Sequence, residues 1–163
     1  MVTQAVGEAM NKHNLTGTAG LVSERGKKGR STVSHAYANA LLEHKIVVVS
    51  QRDFWEDHLR LMEGLMSGAL VMSDPITHLP AGLKENESIV IYNSLEELEQ
   101  KILYYLRDGT GTQDRLRISQ AGRMVALNEH QGHHRYERLM LGENWPRDQK
   151  YPVAPVLNCP RDK

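Results

Sequence analysis

The sequence predicts an α/β fold in which a parallel sheet is flanked by helices. Two short apolar runs, Ile46–Val49 and residues 69–72, lie on either side of a segment of helical period, residues 54–67. A polar turn, residues 50–53, leads into this segment, and Gly68 ends it. Strand, turn, helix, glycine and strand in this order are typical of a βαβ unit with a right-handed crossover. We therefore expect a Rossmann-like sheet of about four parallel strands.

The remaining elements follow from the same periodicities. Apolar residues recur at helical spacing in four more segments, and the helices predicted there are residues 3–13, 33–44, 113–129 and 133–141. A third strand is predicted over residues 89–92, and a short additional one within residues 17–22. In the long helix 113–129, the apolar side chains expected in the core are Leu116, Met124 and Leu127.

The start of one further helix is marked by side-chain chemistry. Ser94 and Glu97 have the spacing of a capping box, in which the serine hydroxyl accepts from the Glu97 amide and the Glu97 carboxylate reaches back. The helix is predicted to run to about Arg107, because residues 108–111 contain two glycines, and glycine commonly ends a helix.

The chain divides into three parts by composition. Residues 1–32 hold the N-terminal helix and a basic, glycine-rich loop, residues 33–142 the Rossmann-like domain, and residues 143–163 a proline-rich extended tail. The loop itself, residues 23–32, either covers a phosphate with backbone amides and cations or is a solvated basic loop. Its glycine spacing matches no phosphate-loop pattern, which favours the solvated loop.

Composition argues against several classes of protein. Lysine plus arginine and aspartate plus glutamate number 20 each, so no net field attracts nucleic acid or an anionic membrane. Cys159 is the single cysteine, which excludes a disulfide or a cysteine-based zinc site within one chain. The N-terminus has no continuous apolar core, and no run reaches the ~20 apolar residues that span a bilayer. We expect a protein of the cytoplasm or another soluble intracellular compartment.

Two turns hold the candidate ligand-binding residues, because ligands of parallel sheets bind beyond the carboxyl ends of the strands. Ser50 and Arg52 belong to the turn after the first strand, and Ser73 and Asp74 end the second. Backbone amides at the start of the following helix, together with Arg52, suit a phosphate group. Asp53 is suited to be the N-cap of that helix, and in the simplest alternative Asp74 only makes a turn.

Residues 45–74 also carry a spaced pattern, which consists of Arg60, two residues, Glu63 and a small-residue turn that ends in Gly68. With this pattern the chain resembles the CgeB-like branch of the group 1 glycosyltransferases, including its algal members. The resemblance covers about residues 37–141. Further features follow in the order of that family, namely the strand SIVIYNS, the helix SLEELEQKILYYLRD, a helix with Ala121-Gly122, and His130 with Arg135.

The resemblance implies the C-terminal half of a GT-B fold, in which two Rossmann-like domains face each other across a cleft. The C-terminal domain of such an enzyme binds the nucleotide diphosphate of an activated sugar, and the other domain usually binds the acceptor. About forty residues precede the βαβ unit here, too few for another Rossmann-like domain. We therefore expect a nucleotide-sugar-binding domain that is incomplete as a catalyst until an N-terminal domain or a partner chain completes it. The nucleotide-sugar is a substrate, and no further cofactor is expected.

The resemblance also implies roles for individual residues. Glu63 matches the family's glutamate that accepts hydrogen bonds from ribose hydroxyls, a task that suits a carboxylate; its plain alternative is a surface glutamate. Arg60 either pairs with Glu63 one turn later or reaches the diphosphate. Many members carry another glutamate, separated from this one by seven intervening residues, that touches the sugar. This chain has Trp55 there, which leaves Glu56 or Asp57 as a substitute.

Three histidines, His130, His133 and His134, suggest a metal site, because His130 and His134 are four residues apart. Gly132 interrupts the helix between them, and no third ligand is evident in the sequence. We therefore expect capping or inter-helix hydrogen bonds from these rings and no metal. No Ser-His-Asp or Cys-His arrangement is supported, so the sequence does not identify catalytic residues.

Two other functions are compatible with an α/β fold. A non-enzymatic binding or structural module within a larger assembly would retain the glycosyltransferase fold, and the proline-rich tail favours it. A response-regulator-like switch would need an acidic cluster after its first strand, and the sequence has none there.

Overall fold

The computed structural model describes residues 2–19, 35–50 and 59–142 of the chain. The helices in these ranges are α1 Val2–Lys12, α2 His35–Glu43, α3 Leu59–Ser67, α4 Leu95–Leu106, α5 Thr110–Glu129 and α6 Gly132–Leu141. The strands are β1 Ile46–Val49, β2 Leu70–Ser73 and β3 Val90–Ile91. The predicted basic loop and the proline-rich tail lie outside the described residues.

The three strands form one parallel sheet in the order β1-β2-β3. Val47 pairs with Val71 across β1 and β2, and α3 lies between these two strands in the chain. The predicted βαβ unit and the Rossmann-like α/β class are thus confirmed. We expected about four strands, and the described residues show three. Residues 17–19 are not in a strand, and the rest of that predicted strand lies outside the described residues.

Alternation of side chains along the strands creates two hydrophobic layers, one on each face of the sheet. The layer covered by α3 contains Val47, Val49, Leu61, Met62, Leu65, Val71, Ile89 and Ile91. The opposite layer, covered by α1 and α4, contains Val2, Val6, Val48, Leu70, Met72, Val90, Leu98 and Ile102. Helix α5 contributes Ala126 to the first layer and Ile118 to the second. Both faces of the sheet are therefore buried, as parallel sheets require.

Helix α5 begins at Thr110, three residues earlier than predicted, and it buries a different face. Leu116 is 40% exposed, whereas Arg115 and Ile118 on either side of it are buried. The prediction that Leu116 lies in the core is therefore wrong. The reason is that α5 contacts α3, α4 and β2 together, so the buried positions wrap around the helix and leave no simple stripe.

The start of α4 follows the predicted capping chemistry with one difference. The Ser94 Oγ atom accepts from the Glu97 N–H at 3.1 Å. The Glu97 carboxylate accepts from the N–H of Asn93, one residue before the cap, at 2.7 Å. It also contacts the Lys101 ammonium group at 2.7 Å. The bond to Lys101, which has the largest effect, and the bond to Asn93 together lower the pKa of Glu97 to about 2.

Helix α1 is fastened to α4 at one carboxylate. The Oε1 atom of Glu99 lies 2.8 Å from the Lys12 ammonium nitrogen and 2.7 Å from the His13 Nε2 atom.

Within the described ranges, no helix has both the length and the apolar character that a membrane span requires.

Candidate functional site

Three predicted site residues meet at the carboxyl edge of the sheet. Val49 pairs with Ser73 in the parallel register, so the residues that follow the ends of β1 and β2 are neighbours. The Ser50 hydroxyl donates to the Asp74 Oδ2 atom at 3.1 Å, and the Ser73 hydroxyl donates to Oδ1 at 3.4 Å. Both carboxylate oxygens of Asp74 thus accept a serine hydroxyl. We refer to Ser50, Ser73 and Asp74 as the edge cluster.

Tyr92, the residue after β3, connects the third strand to this edge. Its backbone N–H donates to the Ser73 carbonyl at 3.0 Å, and its hydroxyl donates to the Val49 carbonyl at 3.4 Å. Burial raises the pKa of the Tyr92 hydroxyl, and the negative charge of Asp74 raises it further. The Tyr92 side chain therefore connects the end of β3 to the end of β1 by a hydrogen bond, and the charge of the edge cluster raises the pKa of its hydroxyl.

A cation also lies at the end of β3. The Lys101 ammonium group donates to the Ile91 carbonyl, and Ile91 pairs with Ser73 across the sheet. Lys101 reaches this position from α4, where its i,i+4 partner Glu97 holds it at 2.7 Å. The carboxyl edge of the sheet thus carries an anionic group on β2 and a cationic group at β3.

The position of α3 over the sheet sets the height of Arg60 and Glu63. A Cβ atom on Gly64 would lie 3.0 Å from Val71 Cγ2 and 3.3 Å from Val47 Cγ1, so Gly64 contacts the second residues of both strands. A helix rises ~1.5 Å per residue and a parallel strand ~3.3 Å. Arg60, four residues before Gly64, is therefore level with the carboxyl edge, and Glu63 lies between the two heights.

Glu63 is partly buried, and a tyrosine holds its side chain. The hydroxyl of Tyr37, on α2, donates to the Glu63 Oε2 atom at 2.6 Å. Side chains in a helix lean toward its N-terminus, which in α3 is the direction of the carboxyl edge. Arg60 is exposed on the first turn of the same helix. Arg60 is thus at the height of the edge cluster, and Glu63 lies three residues further from that edge along α3.

The rest of the predicted site lies outside the described residues, in residues 51–58. These include Arg52, Asp53, Glu56 and Asp57. The described part of the site is therefore made of the strand ends, the first half of α3 and the hydroxyl of Tyr37.

Sequence reasoning missed three side chains of this region. Tyr92 had a signal, because an aromatic ring with a polar tip stands where the third strand ends. Lys101 also had one, the Glu97–Lys101 spacing on α4. Tyr37 had none, because its bond to Glu63 joins residues 26 positions apart.

The histidines make the contacts of the capping alternative. The Nε2 atom of His130, the C-cap of α5, lies 2.8 Å from the Ala81 carbonyl oxygen. The Nδ1 atom of His134 accepts from the Gln131 N–H at 3.1 Å and so caps α6. Burial lowers the pKa of His134, and the neighbouring His133 lowers it further. In the part of the chain that the structure describes, no three potential ligands are grouped to hold a metal ion.

Fold and site together define a Rossmann-like domain with polar and charged groups at the carboxyl edge of a parallel sheet, where such domains bind their ligands. The chain belongs to a glycosyl transferase-like family, whose model matches residues 4–141. The match extends from the first turn of α1 to the end of α6, and it indicates glycosyl transfer, at a general level, as the chemistry of the protein. No curated protein and no solved structure matches the chain.

Proposed function

We propose that this domain binds the nucleotide diphosphate of a sugar donor, as the C-terminal half of a CgeB-like GT-B glycosyltransferase. The position of α3 over β1 and β2 supports the proposal, because Arg60 is at the height of the edge cluster and Glu63 lies one turn below it on the same helix. In a glycosyl transferase-like chain, a carboxylate and a guanidinium group so placed suit a ribose and a diphosphate.

Each side chain has a distinct task in the proposed complex. Glu63 accepts hydrogen bonds from two neighbouring ribose hydroxyls, which a carboxylate can do with its two oxygens. Arg60 and the turn 50–53, with Arg52, lie against the diphosphate, where a planar guanidinium group forms paired hydrogen bonds. Asp74 is anionic and would repel a phosphate, so it accepts hydroxyls of the sugar instead.

The proposed chemistry needs no covalent nucleophile from this domain. Glycosyl transfer from a nucleotide-sugar leaves a nucleoside diphosphate, and cationic side chains and helix N-termini stabilise the charge that develops on it. The acceptor is bound by a second domain, supplied upstream or by a partner chain, so we propose that turnover needs that domain as well.

Calorimetry with nucleoside diphosphates tests the proposal. The Glu63→Ala variant removes the acceptor of the ribose hydroxyls, and we expect it to weaken binding by about 1–3 kcal/mol, the cost of losing a hydrogen bond to a charged group. Glu87→Ala is the matched control, because Glu87 is exposed and its ion pair with Lys84, at 3.4 Å, lies in another loop. Equal affinities for the wild-type chain and Glu63→Ala would reject the ribose assignment.

A non-enzymatic module within a larger assembly is the second candidate. The observation in its favour is the outer face of α6, where Tyr136, Leu139 and Met140 are 73%, 81% and 83% exposed. An apolar face of this kind on a folded domain commonly marks a contact with another protein surface. A saturation-transfer screen separates the two functions: a nucleotide that binds near Glu63 supports the donor domain, and a silent panel supports the module.

A further inference from the structure

The bond between Tyr37 and Glu63 joins two helices that lie on either side of β1 in the chain. Tyr37 is on α2, which precedes the strand, and Glu63 is on α3, which follows it. The phenol oxygen lies 2.6 Å from the Glu63 Oε2 atom, and both side chains are partly buried. A separation this short is typical of a hydroxyl that donates to a charged carboxylate.

This bond restrains the orientation of the Glu63 carboxylate. A glutamate in a helix has several rotatable bonds, and a carboxylate that receives two ribose hydroxyls must face them in one orientation. Met62 and Gly64, on either side of Glu63, are buried and fix the backbone of α3. The Tyr37 hydroxyl then fixes the far end of the side chain. Because each carboxylate oxygen can accept more than one hydrogen bond, the bond to Tyr37 leaves acceptor capacity for a ligand.

We infer that Tyr37 is a positioning residue for ribose recognition, and that it acts through Glu63 without touching the reacting atoms. The inference rests on the proposed function, since it assumes that Glu63 receives the ribose. Tyr37 holds the carboxylate in its receiving orientation before the nucleotide arrives, so that binding does not have to order the side chain. A helix outside the βαβ unit thereby contributes to the selection of ribonucleotides over deoxyribonucleotides.

The test measures the ribose preference of the full chain. Dissociation constants are measured for uridine, adenosine and guanosine diphosphates and for their 2′-deoxy forms. The ribose preference is the dissociation constant of the 2′-deoxy form divided by that of the ribose form, taken for the base that binds most tightly. We expect Glu63→Ala to abolish the preference and Tyr37→Phe to reduce it about three- to tenfold, the effect of losing the net contribution of one ordinary hydrogen bond, because Tyr37 acts only through Glu63. In the double variant Tyr37→Phe should have no additional effect, because the carboxylate on which it acts is gone.

Tyr104→Phe is the matched control. The Tyr104 hydroxyl donates to the Asp114 Oδ2 atom at 2.8 Å, a phenol–carboxylate bond of the same kind between α4 and α5. The Tyr104 bond is exposed and the Tyr37 bond is partly buried, so the two variants are compared in their ribose preference and not in the size of any loss of thermal stability. The ribose preference should change only in Tyr37→Phe.

The outcomes separate this inference from the proposed function. If Glu63→Ala loses the preference and Tyr37→Phe keeps that of the wild-type chain, Tyr37 is not a positioning residue, and the proposed function stands. If Tyr37→Phe strengthens ribonucleotide binding, the tyrosine competes with the ribose, and the inference is overturned. If Glu63→Ala leaves the preference intact, or the wild-type chain binds none of the diphosphates, the ribose assignment fails and the role of Tyr37 fails with it.

Discussion

Substitution of Gly122 by alanine should destabilise the fold by about 2 kcal/mol. A Cβ atom at this position of α5 would overlap the Ser88 carbonyl oxygen and lie 2.8 Å from Leu65 Cδ2. Carbon atoms in contact are normally ~3.5–4.0 Å apart, so the helix would have to move by about 1 Å. Overpacking of this kind costs typically 1–3 kcal/mol, and more when the neighbour is backbone.

The neighbours of Gly122 cannot move away at low cost. The Ser88 hydroxyl accepts from the Lys84 N–H at 2.8 Å and donates to the Lys84 carbonyl at 3.2 Å, which holds the turn before β3 in place. Leu65 is fully buried against the sheet. The better helix propensity of alanine returns only ~1 kcal/mol. The net loss of about 2 kcal/mol assumes an overpacking cost near the upper end of the range.

Urea unfolding, followed by circular dichroism, measures this change as a shift of the midpoint. Gly132→Ala is the control, because a Cβ atom at Gly132, the first residue of α6, meets nothing within 4 Å. We expect the control to be neutral or slightly stabilising. If Gly122→Ala unfolds at the same urea concentration as Gly132→Ala, α5 does not pack against α3 and the turn before β3 as closely as it does in the structure.

Two further predictions concern helix caps. The stability that His134 contributes should be complete above about pH 6.5 and should be lost as the pH falls, because the folded pKa is lowered and a protonated Nδ1 cannot accept from the Gln131 N–H. The titratable or charged side chains that act on the His134 ring are His130, His133, Glu137 and Arg138. In His134→Gln, the free energy of unfolding should fall less between pH 6.5 and pH 5 than it does in the wild-type chain. If it depends on pH equally in both proteins, His134 does not have this role. Ser94→Ala should cost about 1 kcal/mol through the lost bond to the Glu97 N–H, whereas Ser94→Thr keeps a hydroxyl. Equal unfolding midpoints for these two variants would refute the cap.

The charges of the carboxyl edge have a consequence for the proposed complex. Asp74 is held between two serine hydroxyls at β2, and Arg60 is level with the same edge on α3. A bound donor that placed its diphosphate at Asp74 would meet repulsion, and one that placed it toward Arg60 would meet attraction. In the proposed complex we therefore expect the phosphates toward α3 and the sugar toward β2.

The central βαβ unit of the fold could be predicted from local sequence patterns. The β-branched run before residue 50, the helical period of 59–67, Gly68 and the second apolar run predict two parallel strands, and Val47 pairs with Val71 as that requires. These features are local, because strand and helix periodicity is set by backbone geometry within a few residues. For the same reason the Ser94 cap could be predicted from a short spacing.

Which side chains meet at the candidate site depends on how the helices and strands pack together. The bonds from Tyr37 to Glu63 and from Ser50 to Asp74 join residues 26 and 24 positions apart, and they depend on how α2, α3 and the strand ends lie together. The exposure of Leu116 was mispredicted for a related reason, since α5 contacts several elements and periodicity alone does not show which of its sides each one covers. Long-range contacts follow from the packing of complete elements, and no short stretch of sequence encodes that packing.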